Sequence, residues 1–214
     1  MIQIQRFTFN PFQENTYILF DETKECIIID PGCYDSKEER ILNEFILFNN
    51  LKPVKLLNTH CHIDHIFGND FVSKTYNLGL EMHKDDLLIL QNAGFAARSY
   101  GLNLIPSPEP EKLLEEGDFI EFGNSKLAIL HCPGHSPGSI VFYSSDEKLA
   151  IGGDVLFQGS IGRTDLPMGN HKDLINAIQQ KLFLLADDVV VYSGHGEATT
   201  IGEEKMYNPF VAIK

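Results

Sequence analysis

Apolar and β-branched residues gather in short runs along this chain. Residues 2–9, 15–20 and 25–30 are three such runs, separated by Asn10-Pro11 and by Asp21-Glu22-Thr23-Lys24, and predict an antiparallel meander that Asp30-Pro31-Gly32 stops. Ile41, Leu42, Phe45, Ile46 and Phe48 then recur at helical spacing, with Ser36 expected as N-cap and Glu39 closing a capping box. Val54-Lys55-Leu56-Leu57 predicts a buried strand, and residues 67–77 and 85–94 predict helices with the short piece Leu78–Met82 between them. Pro106, Pro108 and Pro110 mark residues 101–117 as an extended surface loop. Strand patterns resume at 118–122, 127–131, 139–143 and 148–151, followed by a helix at 172–185 and a strand at 188–192. A β-rich stretch with helices thus occurs twice, which predicts an α+β chain of two similar halves, each a sheet covered by helices, packed sheet to sheet. At 214 residues the chain is expected to form a single domain, 1–214.

Composition narrows the function classes. Hydrophobic content of 43% and charged content of 22% are ordinary for a soluble globular protein. No stretch approaches the ~20 apolar residues of a membrane span. The N-terminus lacks the basic segment and long apolar run of a signal peptide, so a cytoplasmic location is expected. The net charge of −13, from 30 acidic and 17 basic residues, opposes a nucleic-acid partner. Cys26, Cys33, Cys61 and Cys132 form no Cys-x-x-Cys pair and read as buried or incidental thiols.

The chemistry is concentrated in Asn58-Thr59-His60-Cys61-His62-Ile63-Asp64-His65-Ile66-Phe67-Gly68-Asn69, at the end of an apolar run. Three imidazoles and a carboxylate within six positions point to a metal site. His60 and His62 project to one side if the chain is extended there, and Asp64 and His65 fall on the turn into the next helix. Four such groups suit two ions a few Å apart better than one, so partners are needed from later in the chain. His135, Asp154 and His195 meet that need, each in a glycine-flanked loop after an apolar strand, where scaffolds present functional groups. The bland alternative for each alone is a polar loop residue. His131 and His171 read as supporting or surface groups, and His83 as capping or preceding a helix.

These segments, with Pro133–Ser139, Gly153–Phe157, Ser160–Asp165, Ser193–Gly202 and Asn208-Pro209-Phe210, resemble the metallo-β-lactamase superfamily, and within it the glyoxalase II-like metallohydrolases, over nearly the whole chain. The resemblance implies a four-layer αββα sandwich of two mixed sheets flanked by helices. It further implies that His60, His62 and His135 hold one metal, that Asp64, His65 and His195 hold a second, and that Asp154 bridges them. Mixed nitrogen and oxygen ligands suit zinc, with iron or manganese also accommodated. The activity implied is hydrolysis of a hydroxyacylglutathione-type thioester by a metal-bridging hydroxide, with Asp64 and Asp154 as catalytic carboxylates. Arg163 is the candidate substrate contact, against the alternative of a structural salt bridge with Asp165.

The chain departs from glyoxalase II proper in having only 19 residues after His195, where that family carries a longer helical region contacting glutathione. The thiol therefore stays open. A persulfide dioxygenase with one iron shares the Gly162–Asp165 segment, but such relatives carry Pro-Ala-His-Asp-Tyr where this chain has Ser193-Gly194-His195-Gly196-Glu197, which favours the hydrolase. A lactonase or β-lactamase is a further alternative, the latter opposed by the lack of a signal peptide. A superfamily nuclease is opposed by the charge, and a non-catalytic metal-binding module by the open coordination positions. The expected partner is a small-molecule thioester, without nucleic acid or membrane, acted on by a monomer or homodimer.

Overall fold

In the computed structural model, which describes residues 1–212, the chain forms two compact units. The first comprises Met1–Leu114 with Glu121–Lys126, and the second Glu115–Ile120 with the chain from Leu127 onward.

The first unit is built on a mixed six-stranded sheet, ordered β1 (Gln3–Phe9), β2 (Glu14–Phe20), β3 (Glu25–Ile29), β4 (Lys52–Leu57), β5 (Leu80–His83) and β6 (Pro110–Leu114). The expected meander is present as antiparallel β1, β2 and β3, after which β4, β5 and β6 add in parallel. Parallel addition requires crossovers, which α1 (Ser36–Phe48), α2 (Ile63–Ile66) with α3 (Asn69–Tyr76), and α4 (Leu87–Ser99) supply. Leu42 and Ile46 of α1, Val72 of α3 and Ala93 and Ala97 of α4 share one core with Ile18, Ile28 and Leu56 of the sheet. Ile28 and Leu56 are fully buried, and each such side chain contributes about 1.5–3 kcal/mol of transfer free energy.

The second unit holds a mixed sheet ordered β14 (Thr199–Thr200), β13 (Val190–Ser193), β10 (Leu149–Gly153), β9 (Ile140–Ser144), β8 (Ser125–His131) and β7 (Phe119–Phe122), the β7–β8 turn belonging to the first unit. Only β10 and β13 run parallel among the pairs described. Leu174, Ala177 and Ile178 of α5 (His171–Gln180) and Ile201 of α6 (Ile201–Tyr207) pack with Val141, Ala150 and Val191 of this sheet. A two-stranded hairpin, β11 (Leu156–Phe157) and β12 (Ser160–Ile161), stands apart from it.

Three expectations are corrected. Asp35, not Ser36, caps α1, its carboxylate accepting from the backbone N–H groups of Lys37 and Glu38. Asp is as good a cap as Ser, and no box forms with Glu39, because Glu38 instead accepts from Asn10 N and Tyr34 N. Residues 101–117 are not all loop, since Pro110–Leu114 pairs with β5 as an edge strand. Proline is tolerated there because the first residue of an edge strand need not donate to the ladder. The helix expected at 67–77 is present as α3, but Asp64 and His65, expected on the turn leading into it, lie on a separate short helix, α2. His83 caps a 3₁₀ turn as expected, its Nδ1 accepting from Asp85 N at 3.3 Å. All four cysteines are buried thiols. Among the described residues no helix is long and apolar enough to cross a membrane.

Candidate metal centre

In the first unit the ligand-type residues follow β4, and their orientation is governed by the neighbouring parallel strand. Ile29 is level with Leu57, so Asp30, the next residue of the β3 chain, comes beside Asn58 and Thr59. Asp30 is held in the left-handed region at φ 49°, a conformation Asp tolerates better than most residues, and donates its N–H to Leu57 O at 2.9 Å. Its Oδ1 accepts from Thr59 N at 2.7 Å and from Asn58 Nδ2 at 3.3 Å. Its Oδ2 accepts from Thr59 Oγ1 at 2.5 Å and from His65 Nδ1 at 3.0 Å.

These bonds assign the proton positions of two imidazoles. A carboxylate only accepts, so His65 carries a proton on Nδ1, and as the neutral imidazole it has its lone pair on Nε2, which lies 3.8 Å from Asp64 Oδ2. Thr59 gives its hydroxyl proton to Asp30, which leaves its oxygen to accept from His60 Nδ1 at 3.1 Å and puts the His60 lone pair on Nε2 as well. A histidine whose second nitrogen is tied to a carboxylate or similar acceptor is the arrangement found at metal centres. The ring centroids of His62 and His65 lie 4.8 and 4.0 Å from that of His60. His62 is extended at φ −66° and ψ 152°, and Cys61 Sγ lies 3.5 Å from Met82 Sδ. The loop is fixed from behind by Asp86, which accepts from Cys61 N at 2.7 Å.

The N-terminus of α2 is held by Asn10, whose Nδ2 donates to Asp64 O at 2.9 Å and Gly32 O at 3.0 Å. A Cβ on Gly32 would lie 2.0 Å from Glu14 Oε2 and 2.6 Å from Asp64 O, so only glycine fits. Glu14 is fully buried beside this cluster, 3.9 Å from His65 Nδ1. Loss of hydration pushes its carboxyl well above the usual carboxylate range.

In the second unit β10 and β13 run parallel, so the residues that follow them, Asp154 and His195, leave the same end of the sheet. Gly194 N donates to Gly153 O at 2.8 Å and ties the two exits together. His135 reaches them from the loop after β8. Its Nδ1 donates to Arg163 O at 2.8 Å, which leaves its Nε2 lone pair 3.5 Å from Asp154 Oδ2. His195 Nε2 lies 3.5 Å from the same oxygen. The Arg163 carbonyl reaches His135 because Gly162 lies against Asp154, where a Cβ would fall 1.9 Å from Asp154 O.

The donor set fits a metal. An imidazole lone pair turned toward a carboxylate oxygen is repulsive by itself, and a cation between them reverses the sign. That pairing occurs at His65 with Asp64 and again at His135 with Asp154. Nitrogen and carboxylate oxygen donors suit zinc and equally admit iron or manganese.

The expected residues therefore gather in two sets, His60, His62, Asp64 and His65 in the first unit and His135, Asp154 and His195 in the second. Arg163 presents its backbone carbonyl to His135, while its guanidinium forms a bidentate pair with Asp165 at 2.7 and 2.8 Å, the structural alternative weighed from the sequence. That pairing holds the Asp165 carboxyl down at about 2. Asp30, Thr59 and Asn10 were missed by sequence reasoning. For Asp30 a signal was present, an acidic residue ending the strand beside the motif strand, but it also reads as an ordinary Asp-Pro-Gly turn.

Comparison with known proteins agrees with this geometry. Residues 9–195 match the family model of the metallo-beta-lactamase superfamily. The chain is 39% identical over 208 residues to hydroxyacylglutathione hydrolase GloC of Haemophilus influenzae, covering 95% of each chain. Among solved structures it is similar to BLEG-1, a B3 metallo-beta-lactamase, with a TM-score of 0.90 and 34% identity over 98% of this chain and 99% of that one. It is also similar to TTHA1623 in a di-iron-bound form, with a TM-score of 0.86 and 37% identity over 96% and 99% of the two chains. With two mixed sheets flanked by helices and histidine–aspartate sets able to hold metal, the chain belongs to the metallo-β-lactamase superfamily, a family of metal-dependent hydrolases.

Proposed function

We propose that this protein is a glyoxalase II-like thioesterase that hydrolyses S-acyl-thiol substrates of the hydroxyacylglutathione type. In this reading His60, His62 and His135 hold one divalent ion, Asp64, His65 and His195 hold a second, and Asp154 is shared. Zinc is the proposed metal, with iron favoured next by the di-iron relative. The observation that carries the substrate class is the 39% identity, over 95% of both chains, to the Haemophilus influenzae hydroxyacylglutathione hydrolase.

Bound divalent ions supply an acidified water and polarise the acyl carbonyl. The chain's own part is to orient and to accept protons. Asp30 and Thr59 keep the His65 and His60 lone pairs on Nε2, and the Arg163 carbonyl does the same for His135. The carboxylates of Asp64 and Asp154 are the groups able to orient and deprotonate the attacking water. A thiolate leaves without prior protonation, since thiols ionise near pH ~8.5, so the reaction needs no strong general acid at the leaving group. Arg163 is proposed as a contact for a substrate carboxylate, for which it must exchange its pairing with Asp165.

A second reading, β-lactam hydrolysis, is favoured by the 34% identity to the B3 enzyme. Both are tested on one preparation. Purified protein is assayed for thiol release from S-D-lactoylglutathione and for hydrolysis of a chromogenic cephalosporin, with metal analysed on the same sample and His62→Ala as control. Thiol release that disappears in the variant, with about two ions per chain, is the expected result. Cephalosporin turnover alone replaces the thioesterase reading with the second. Neither activity, with one iron per chain and oxygen uptake on a glutathione persulfide, replaces both with the dioxygenase.

A further inference from the structure

The second unit contains a buried carboxylate that the chemistry above does not use. Glu204 lies on the C-terminal helix α6 and is 3% exposed, and its oxygens accept from three donors. Thr199 Oγ1 donates to Oε1 at 2.6 Å, Asn208 Nδ2 to Oε2 at 2.6 Å, and Gly159 N to both oxygens at 3.2 and 3.0 Å. Asn208 Nδ2 also donates to Ser160 O at 3.0 Å. Gly159 is in the turn of the β11–β12 hairpin and Ser160 is the first residue of β12, so α6 and its C-cap Asn208 grip that end of the hairpin through both a donor and an acceptor of its backbone.

The hairpin joins the groups that could hold metal in this unit. It runs from Asp154 to Gly162 and Arg163, and Arg163 O orients His135. Leu156 O accepts from Ser193 Oγ at 2.7 Å, two residues before His195, and Phe157 lies edge-on to the His195 ring at 6.3 Å. Each of its strands is only two residues long, and so short a ribbon has little stability by itself. Its geometry is therefore set by what holds it from outside: the core around Val155, Leu156 and Ile161, Ser193 on its first strand, and Glu204 with Asn208 at its turn. A buried carboxylate costs free energy unless its oxygens are satisfied, so its use here has to be sought in what it fixes.

We infer that Glu204 is a positioning residue for the metal ligands, acting through the hairpin turn to set Asp154, His135 and His195 as a group. The inference rests on the metal-dependent reading of this site. Glu204→Gln tests it with little change of shape. Gly159 N bonds both oxygens and can only donate, so whichever side the amide NH₂ takes it faces that N–H; the Thr199 hydroxyl can turn to accept, but the hold on the turn at Gly159 is weakened in either orientation.

The experiment is a cobalt(II) titration of the metal-depleted full chain, read by the visible absorption of the bound ion, with the melting temperature of the metal-free protein measured alongside. Wild type, Glu204→Gln, Thr199→Val and Lys205→Ala are compared. Lys205 is on the same helix but bonds Leu185 O and Asp187, away from the hairpin. The expected result is cobalt binding at least about tenfold weaker in Glu204→Gln with an altered spectrum, a smaller shift in the same direction for Thr199→Val, and an unaltered spectrum for Lys205→Ala whatever its melting temperature. Unchanged affinity and spectrum in Glu204→Gln overturn the inference even if the melting temperature falls. If Glu204→Gln does not fold, Thr199→Val decides by the same criterion. Failure of the wild type to bind cobalt overturns the metal reading first, and the inference with it.

Discussion

Asp30 shows how one carboxylate sets the chemistry of residues it does not join. It accepts from His65 Nδ1 directly and from His60 through the Thr59 hydroxyl, so both imidazoles present Nε2. Asp30→Asn keeps the shape but not the pattern. The amide oxygen stays where Thr59 N and Asn58 Nδ2 donate, and the amide nitrogen then faces Thr59 Oγ1 and His65 Nδ1. His65 must accept there, which moves its proton to Nε2 and blocks the nitrogen proposed to hold metal. The variant is expected to lose about 10–100-fold in affinity for one ion while staying folded. Metal per chain after dialysis against buffered chelator checks this, and full retention would refute it. The histidines and Asp64, Asp154 were legible in the sequence because a metal demands particular donor types at short spacing. Asp30 and Asn10 were not, because their partners lie 29 and 54 positions away: the parallel register of β3 and β4 brings Asp30 to Thr59, and the β1–β2 turn carries Asn10 to Asp64.

At the level of elements, the turn joining β7 to β8 is fixed by Asp21, at the end of β2. Its carboxylate accepts from Thr23 N, Thr23 Oγ1, Asn124 N and Ser125 Oγ, at 2.9, 2.5, 2.7 and 2.8 Å. Gly123 in that turn lies so close that a Cβ would sit 2.3 Å from Asp21 Oδ1. Although burial opposes ionisation, these hydrogen bonds bring the Asp21 carboxyl down from 3.8 to about 2. The folded value lies below the unfolded one, so the contribution to stability is complete above about pH 4 and is lost as pH falls toward 2. Asp21→Asn is therefore expected to be less stable at pH 7, by about 1–2 kcal/mol, and to show a shallower loss of stability between pH 4 and 2 than wild type. Urea unfolding at the three pH values measures both, and parallel pH slopes would contradict the assignment. Most strands were legible from alternating or continuous apolar runs. β6 was not, because three prolines within five residues signal a loop more strongly than Leu113 and Leu114 signal a strand. Nor was α6, since its role is read in the partners of Glu204 rather than in its own short pattern.

For the whole molecule, the sequence supports a metal-dependent hydrolase because its motifs recur at strand ends throughout the chain, and the matched region extends from residue 9 to 195. The net charge of −13 is spread over both units and bears on partners rather than on fold. The four cysteines are distributed in the same way, three in the first core and Cys132 in the second, each no more than 1% exposed. Burial pushes Cys26 and Cys132 up to about 12, and Cys33 and Cys61 are raised as well, so almost none of this sulfur is thiolate at neutral pH. Iodoacetamide at pH 8 is accordingly expected to leave the native protein unmodified by intact mass and to add four carbamidomethyl groups once it is unfolded in urea. Adduct formation on the folded chain would show that these sites open. On the proposed thioesterase reading the reaction releases a nucleophilic thiol, and sulfur sealed in this way neither exchanges with the disulfide form of that product nor takes up the acyl group.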